Sequence, residues 1–296
     1  MTACSAELDS PEWATPLADG TNGFDYLRET KTAQAQATQV AQLTASAPTE
    51  DARLLPEEWQ TWPIVPEISY RTREIYRKGL ATGNDPHAFS KVGDCQNLKE
   101  YFLGKFDHID MYNFNWNIDP YMETIDQFQG SFYRDGQSTQ FGYTAASPIS
   151  QLMADPDMCL PEETPLECEI RINKPTFLLI SLEFPFSNRS PGLYEQYIRQ
   201  IVEYTMSQGV VPILATKADN VEGDHSINLV ITKLAYEYDV PMWNWWAAAQ
   251  PLGDHGIDPY RDGDLGFHIS EQAWEERSKT FLQVLDHLWK NLRDIG

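Results

Sequence analysis

Pro175-Thr176-Phe177-Leu178-Leu179-Ile180-Ser181-Leu182 is a near-continuous apolar run of strand length. A strand with one wet face alternates apolar and polar residues, so a run without alternation belongs to a strand covered on both faces. The residues that follow keep to the same plan. Ser190-Pro191 is a cap followed by proline at the first helical position. Leu193, Tyr197, Ile201 and Tyr204 form the apolar face of the helix they open, and Gly209 closes it. Val210–Ala215 reads as the next strand, and Ser226–Tyr238 as a helix burying Ile227, Val230, Ile231, Leu234 and Tyr238. Val240–Trp245 reads as a further strand. The last helix, from Ser270, carries Trp274, Phe281, Leu285, Leu288 and Leu292. Strands alternating with helices predict an α/β fold: a three-layer sandwich with a mainly parallel central sheet.

Upstream, His87–Asp94 has strand character and runs into a helical stretch, Asn97–Leu103. Ser69–Gly79 predicts a short helix ended by its glycine. Residues 1–55 are rich in Ala, Thr, Gln, Ser and Pro with no sustained apolar period, the composition of a flexible arm. The folded domain is expected over 56–296, without internal repeats.

The 296 residues hold 22 Lys and Arg against 44 Asp and Glu, a formal charge of -22. Such a chain repels phosphate backbones, so nucleic acid and anionic lipid surfaces are excluded as expected partners. Solubility accounts for the charge, and divalent-cation binding is the sharper alternative. Asp254, His255, Asp258, Asp262 and Asp264 form an acidic run but lack the ligand spacing of an EF-hand loop, so a solvated loop is expected and no metal or cofactor is assigned. No apolar stretch approaches the ~18 residues of a transmembrane segment. The start, Met1–Ser5, lacks a basic segment followed by an apolar one, so no signal peptide is expected in the chain as it stands. Thr2-Ala3-Cys4-Ser5 is similar to the junction at which bacterial lipoproteins are cleaved and lipidated on cysteine, with an incidental cysteine as the alternative.

Cys159 and Cys168 flank a Pro- and Glu-rich loop. A bridge there would clip the loop, add about 2–3 kcal/mol and imply an oxidising compartment. Two unrelated thiols are the alternative. An extracellular or cell-surface location, anchored through Cys4 if that residue is lipidated, is the corresponding expectation.

In open parallel sheets the ligand site lies beyond the carboxyl ends of the strands. After the first strand comes Val92-Gly93-Asp94-Cys95-Gln96-Asn97, where Cys95 has a nucleophile's chemistry. Before the last helix comes Asp262-Gly263-Asp264-Leu265-Gly266-Phe267-His268, where His268 could act as its base. In this order and context the chain resembles the SGNH (GDSL-type) hydrolases, a superfamily of esterases, lipases and carbohydrate deacetylases. The resemblance covers about residues 85–292. Their Gly-Asp-Ser block aligns with Gly93-Asp94-Cys95, and their Asp-x-x-His block with Leu265-Gly266-Phe267-His268. Their Gly-x-Asn-Asp block aligns with Glu183-Phe184-Pro185-Phe186, and their second-block glycine falls near Gly142.

Measured against that family, the serine is replaced by Cys95, the histidine-orienting aspartate by Leu265 and the oxyanion asparagine by Pro185. Asp264 could orient His268 through a bulged turn, and Asn188 could supply a donor if its loop were rearranged. Losing one oxyanion donor costs about 2.7–4 kcal/mol of transition-state stabilisation. The expectation is therefore an incomplete catalytic site on a hydrolase-like scaffold with a binding or structural role. The alternative is a Cys95–His268 dyad acting on esters or thioesters, although Cys95 could equally be a small buried hydrophobe and His268 a helix cap. Tyr112, Phe114, Trp116 and Tyr121 alternate with Asn113, Asn115, Asn117 and Asp119, a composition suited to carbohydrate or to a satellite hydrophobic cluster. Carbohydrate, an acylated small molecule and self-assembly are the candidate partners. Trp243, Trp245 and Trp246 are expected in the core and at the sheet edge.

Overall fold

A computed structural model describes residues 53–182, 190–261 and 266–295. The decisive apolar run is β2, Pro175–Ser181, and every residue in it is buried. It lies between β1, Asp85–Gly93, and β3, Val211–Ala215, and β4 is the two-residue Met242–Trp243. The strand order is β1-β2-β3-β4, and all three pairings are parallel. Val92 lies opposite Ile180 and Leu179 opposite Ile213, so the centre of the sheet is apolar on both faces. On the other edge of β1, Gly93 makes a parallel bridge to Thr139. The chain thus leaves β1 to one side, touches its edge at Thr139, and returns to the other side as β2. That reversal makes the carboxyl end of β1 a topological switch point, the place where such sheets hold ligands.

Seven α-helices accompany the described strands: α1 Tyr70–Thr82, α2 Met122–Gln127, α3 Pro165–Asn173, α4 Pro191–Ser207, α5 Ser226–Tyr238, α6 Trp245–Ala249 and α7 Glu271–Leu292. They cover both sides of the sheet, as the α/β reading requires. α4 packs beside α5, while α7 packs on α2 and α6. The caps read from sequence are formed: Ser190 Oγ accepts from Leu193 N, and Ser270 Oγ accepts from Ala273 N. Cys159 and Cys168 are bridged with their Cα atoms 5.2 Å apart, closing the loop that leads into α3.

Four local expectations are corrected. α1 runs on past Gly79 to Thr82 and ends at Gly83, whose φ of 92° is the left-handed cap. Gly79 serves contact instead, since a Cβ there would lie 2.1 Å from the carbonyl oxygen of Gly209. The buried face of α4 is Tyr194, Ile198, Ile201, Val202 and Thr205. The tyrosines at 197 and 204 lean on the core from its margin, which broadens the apolar stripe and hides its centre from a sequence reading. β4 stops at Trp243 because Asn244 turns the chain, its Oδ1 accepting from Ala247 N to cap α6. Asn97–Leu103 forms no α-helix: a 3-10 turn, Cys95–Asn97, is followed by extended Leu98. The arm as far as residue 52 lies outside the described residues.

Candidate functional site

The turn after β1 is drawn inward by its own side chains. Asp94 is fully buried, and its carboxylate accepts from Gln96 N at 3.0 Å and from Asn97 Nδ2 at 3.3 Å. Asn97 Nδ2 also donates to Ser181 O at 2.8 Å, tying the end of β1 to the end of β2. Gly93 permits this, because a Cβ at that position would sit 2.4 Å from the Asn97 amide. A helix N-terminus after β1 would have offered free N–H groups to a thiolate or oxyanion. In the short 3-10 turn, the Gln96 N–H is taken by the Asp94 carboxylate.

Beneath the turn lie two buried cations. Arg277, on α7 and 0% exposed, donates to Gln96 O at 2.8 Å, Asn97 Oδ1 at 3.0 Å and Ser181 Oγ at 2.8 Å. Its guanidinium stacks 4.2 Å from the Phe102 ring centroid and faces Trp243 at 5.6 Å. Lys91 donates to Asn97 O at 2.8 Å and lies 3.6 Å from Asp135. Burial pushes its amine down to about 8 against the pull of Asp135. Ser138 and Thr139 hydroxyls both donate to Lys91 O, fastening the Thr139 segment to β1. Gly142 follows in the next turn, at φ 77° with open space where a Cβ would point.

The turns bearing Cys95 and His268 are joined: Gln96 Nε2 donates to Phe267 O at 3.0 Å. His268 is buried, its ring against that of Phe267, and its backbone oxygen accepts from Asp258 N. Cys95 is also buried, and its sulfur is disulfide-bonded, so no thiol is available there while that bond stands. Among the described residues no cysteine is free. Cys4, Glu183–Phe186, Asn188, Asp262, Asp264 and Leu265 lie outside the described residues.

A second buried ionic group stands at the carboxyl end of β3. Lys217 Nζ pairs with Asp219 Oδ1 and, at 2.6 Å, with Glu222 Oε2. Burial raises the Asp219 carboxyl to about 6 despite its lysine partner. Among the described residues, Asp219 Oδ2 and Glu222 Oε1 are buried without hydrogen-bond partners. Neither ionic group was among the residues singled out by sequence. The available signal was a cation in an apolar pattern: Arg277 falls four residues before Phe281 on the buried stripe of α7.

The aromatic and acidic segments have other surroundings. Phe114, Trp116 and Tyr121 pack against the core in mutual edge contacts, and Trp116 Nε1 donates to Glu275. Trp243 and Trp245 are core residues, while Trp246 meets Trp59 at 4.9 Å. Asp258 Oδ1 accepts from Tyr260 N within an exposed turn. Among the described residues one group, Cys159, Glu163 and Cys168, has metal-ligand spacing, and its two sulfurs are bonded to each other. No described helix is long and apolar enough to cross a membrane.

No family model matches the chain, and no curated protein matches it. Among solved structures it is similar to a GDSL-like lipase from Bacteroides thetaiotaomicron, at 11% identity over 74% of this chain and 99% of that one, with a TM-score of 0.44. It is also similar to TesA, at 14% identity over 68% of this chain and 99% of that one, with a TM-score of 0.43. At this identity and overlap the likeness carries no statement about chemistry. The architecture itself is α/β, a parallel four-stranded sheet with helices on both sides.

Proposed function

We propose that this chain is a divergent SGNH-like protein, exported, whose hydrolase-type site serves as framework and whose role is binding or assembly. One observation carries the reading: most of the described polar groups at the switch point are bonded to one another, with Gln96 Oε1 the exception. Asp94 and Asn97 bond to the turn and to β2, Arg277 fills the space behind them, and the Cys95 sulfur is in a disulfide. A nucleophile needs a free lone pair and a base within reach. The Cys159–Cys168 bridge supports export, because such bonds persist in oxidising compartments. Carbohydrate or an acylated small molecule remains the ligand class suggested by composition.

The alternative is a thiol hydrolase that acts only when Cys95 is reduced. It draws on the Gln96–Phe267 hydrogen bond, which links the turns of Cys95 and His268. Hydrolysis of short-chain p-nitrophenyl esters and thioesters, with and without a dithiol reductant, separates the two. The framework reading expects no turnover above buffer in either condition. Turnover in reductant that disappears in Cys95→Ala would establish the hydrolase and sink the framework reading.

A further inference from the structure

The carboxyl end of β3 carries a buried charge group that its neighbours leave unfinished. Asn228 on α5 grips the backbone of Lys217, its Oδ1 accepting from Lys217 N at 2.8 Å and its Nδ2 donating to Lys217 O at 2.9 Å. The lysine is thereby held in place, and its ammonium meets Asp219 and, at 2.6 Å, Glu222. Burial opposes its charge, but the two carboxylates outweigh burial and hold its amine above the usual lysine value. One cation against two carboxylates leaves a buried excess of negative charge. Among the described residues, Asp219 Oδ2, Glu222 Oε1 and His225 Nδ1 are also buried there without hydrogen-bond partners.

Glu222 and His225 reach this group from one short strap, residues 220–225. Three local bonds fold it down: Val221 N donates to Asp219 Oδ1 at 3.1 Å, Gly223 N to Asn220 O at 3.0 Å and His225 N to Asn220 Oδ1 at 2.9 Å. Its backbone works against closure, since His225 stands at φ 55°, a left-handed conformation that is costly for a residue with a Cβ. Asn220, Gly223 and Asp224 are exposed, so the strap can lift while α5 and the sheet stay intact. The other charged groups beside it are Asp224, Glu57 and Glu58. Hydrogen bonds to Ser226 hold the Asp224 carboxyl below the usual range. Glu57 and Glu58 are exposed on the 3-10 segment Pro56–Thr61, whose Trp59 meets the His225 ring at 5.7 Å.

We infer that residues 220–225 are a proton-controlled strap, closed over the carboxyl end of β3 in mild acid and lifted toward neutral pH. A proton on the paired carboxylates removes the charge excess and turns a stranded acceptor into a donor, so it belongs to the closed form. Without that proton the oxygens gain more from water than from the closed site, and the strap opens. Burial raises the Asp219 carboxyl to about 6, which sets the change between mild acid and neutrality. The closed form binds the proton more tightly, so closure is lost as pH rises. Opening uncovers Lys217 and both carboxylates on the side of the sheet where ligands sit. This holds whether or not the switch point at β1 is catalytic.

Hydrogen–deuterium exchange of the full chain, read by mass spectrometry at about pH 5 and about pH 7.5 and corrected for intrinsic exchange, tests it. Peptides spanning residues 219–226 should exchange about tenfold faster at the higher pH, the factor that linkage through Asp219 allows. They should take up label at times when peptides of β2 take up none. Asp219→Asn should remove the pH dependence, with circular dichroism matching the parent. His225→Asn, which places a residue tolerant of positive φ there, should keep the dependence. If Asp219→Asn does not fold, the parent and His225→Asn profiles still decide. Strap exchange that ignores pH in the parent, label that enters the strap only together with β2, a dependence that survives Asp219→Asn, or one lost in His225→Asn would overturn the inference.

Discussion

Two buried ionic groups stand at strand ends on the ligand side of the sheet, and they are finished differently. At the end of β1, Arg277 has three oxygen partners and two aromatic faces. At the end of β3, Lys217 is paired with two carboxylates, each of which keeps one buried oxygen without a partner. Desolvating a charge costs several kcal/mol and is offset only when the remaining donors and acceptors are satisfied. Gln96 Oε1 beside the first group is buried without a partner too, so what separates the groups is titration. The guanidinium stays charged and ties three strand-end oxygens together, whereas the second group holds a carboxyl raised to about 6, whose contribution depends on pH.

The contrast predicts an order of effects. Arg277→Ala should cost most, roughly 4–5 kcal/mol in denaturant unfolding, because it strands the Gln96, Asn97 and Ser181 acceptors and opens a void between Phe102 and Trp243. A cost under ~1 kcal/mol would show that the guanidinium does not tie them together. Lys217→Met should cost about 3–4 kcal/mol at neutral pH, since it leaves two carboxylates facing one another, and the loss should shrink in acid as they protonate. A loss that grows in acid would reverse the comparison.

Asp219 sharpens the comparison through its sign. Its carboxyl is raised in the folded chain, so between pH ~3.8 and ~6 the folded state holds more protons than the unfolded one. Stability contributed by this group is therefore lost as pH rises through that window, by up to about 3 kcal/mol. Asp219→Asn should flatten that segment of the pH–stability curve relative to the parent. Lys91 has the opposite course: its depressed amine makes stability rise from pH ~8 upward, and Lys91→Met should abolish the rise. The smallest effect belongs to Ser270→Ala, about 1 kcal/mol for the lost cap of α7, read as a shift in the unfolding midpoint.

Much of the frame was legible from residues 175–292. The β2 run, the Ser190-Pro191 and Ser270 caps and the span of α5 agree with the structure because each depends on neighbours within a turn or two. The Cys159–Cys168 bridge was legible for the same reason: the two residues are only nine apart. Asn97 was misread as helical because its fate is decided by Ser181, 84 residues away, and by Arg277, 180 away. Nothing in a local window reports that a side-chain amide will find a buried acceptor on another strand.

By itself the sequence determined the α/β class, the alternation of strands and helices, and the acidity. Those follow from composition and short-range periodicity, which local stereochemistry and burial impose directly. Only the tertiary structure decided that the β1 turn closes on itself, that Arg277 and Lys91 lie beneath it, and that Lys217 meets two carboxylates at the end of β3. Satisfying buried polar groups is a long-range condition on the whole chain, met by whichever partners the fold brings together.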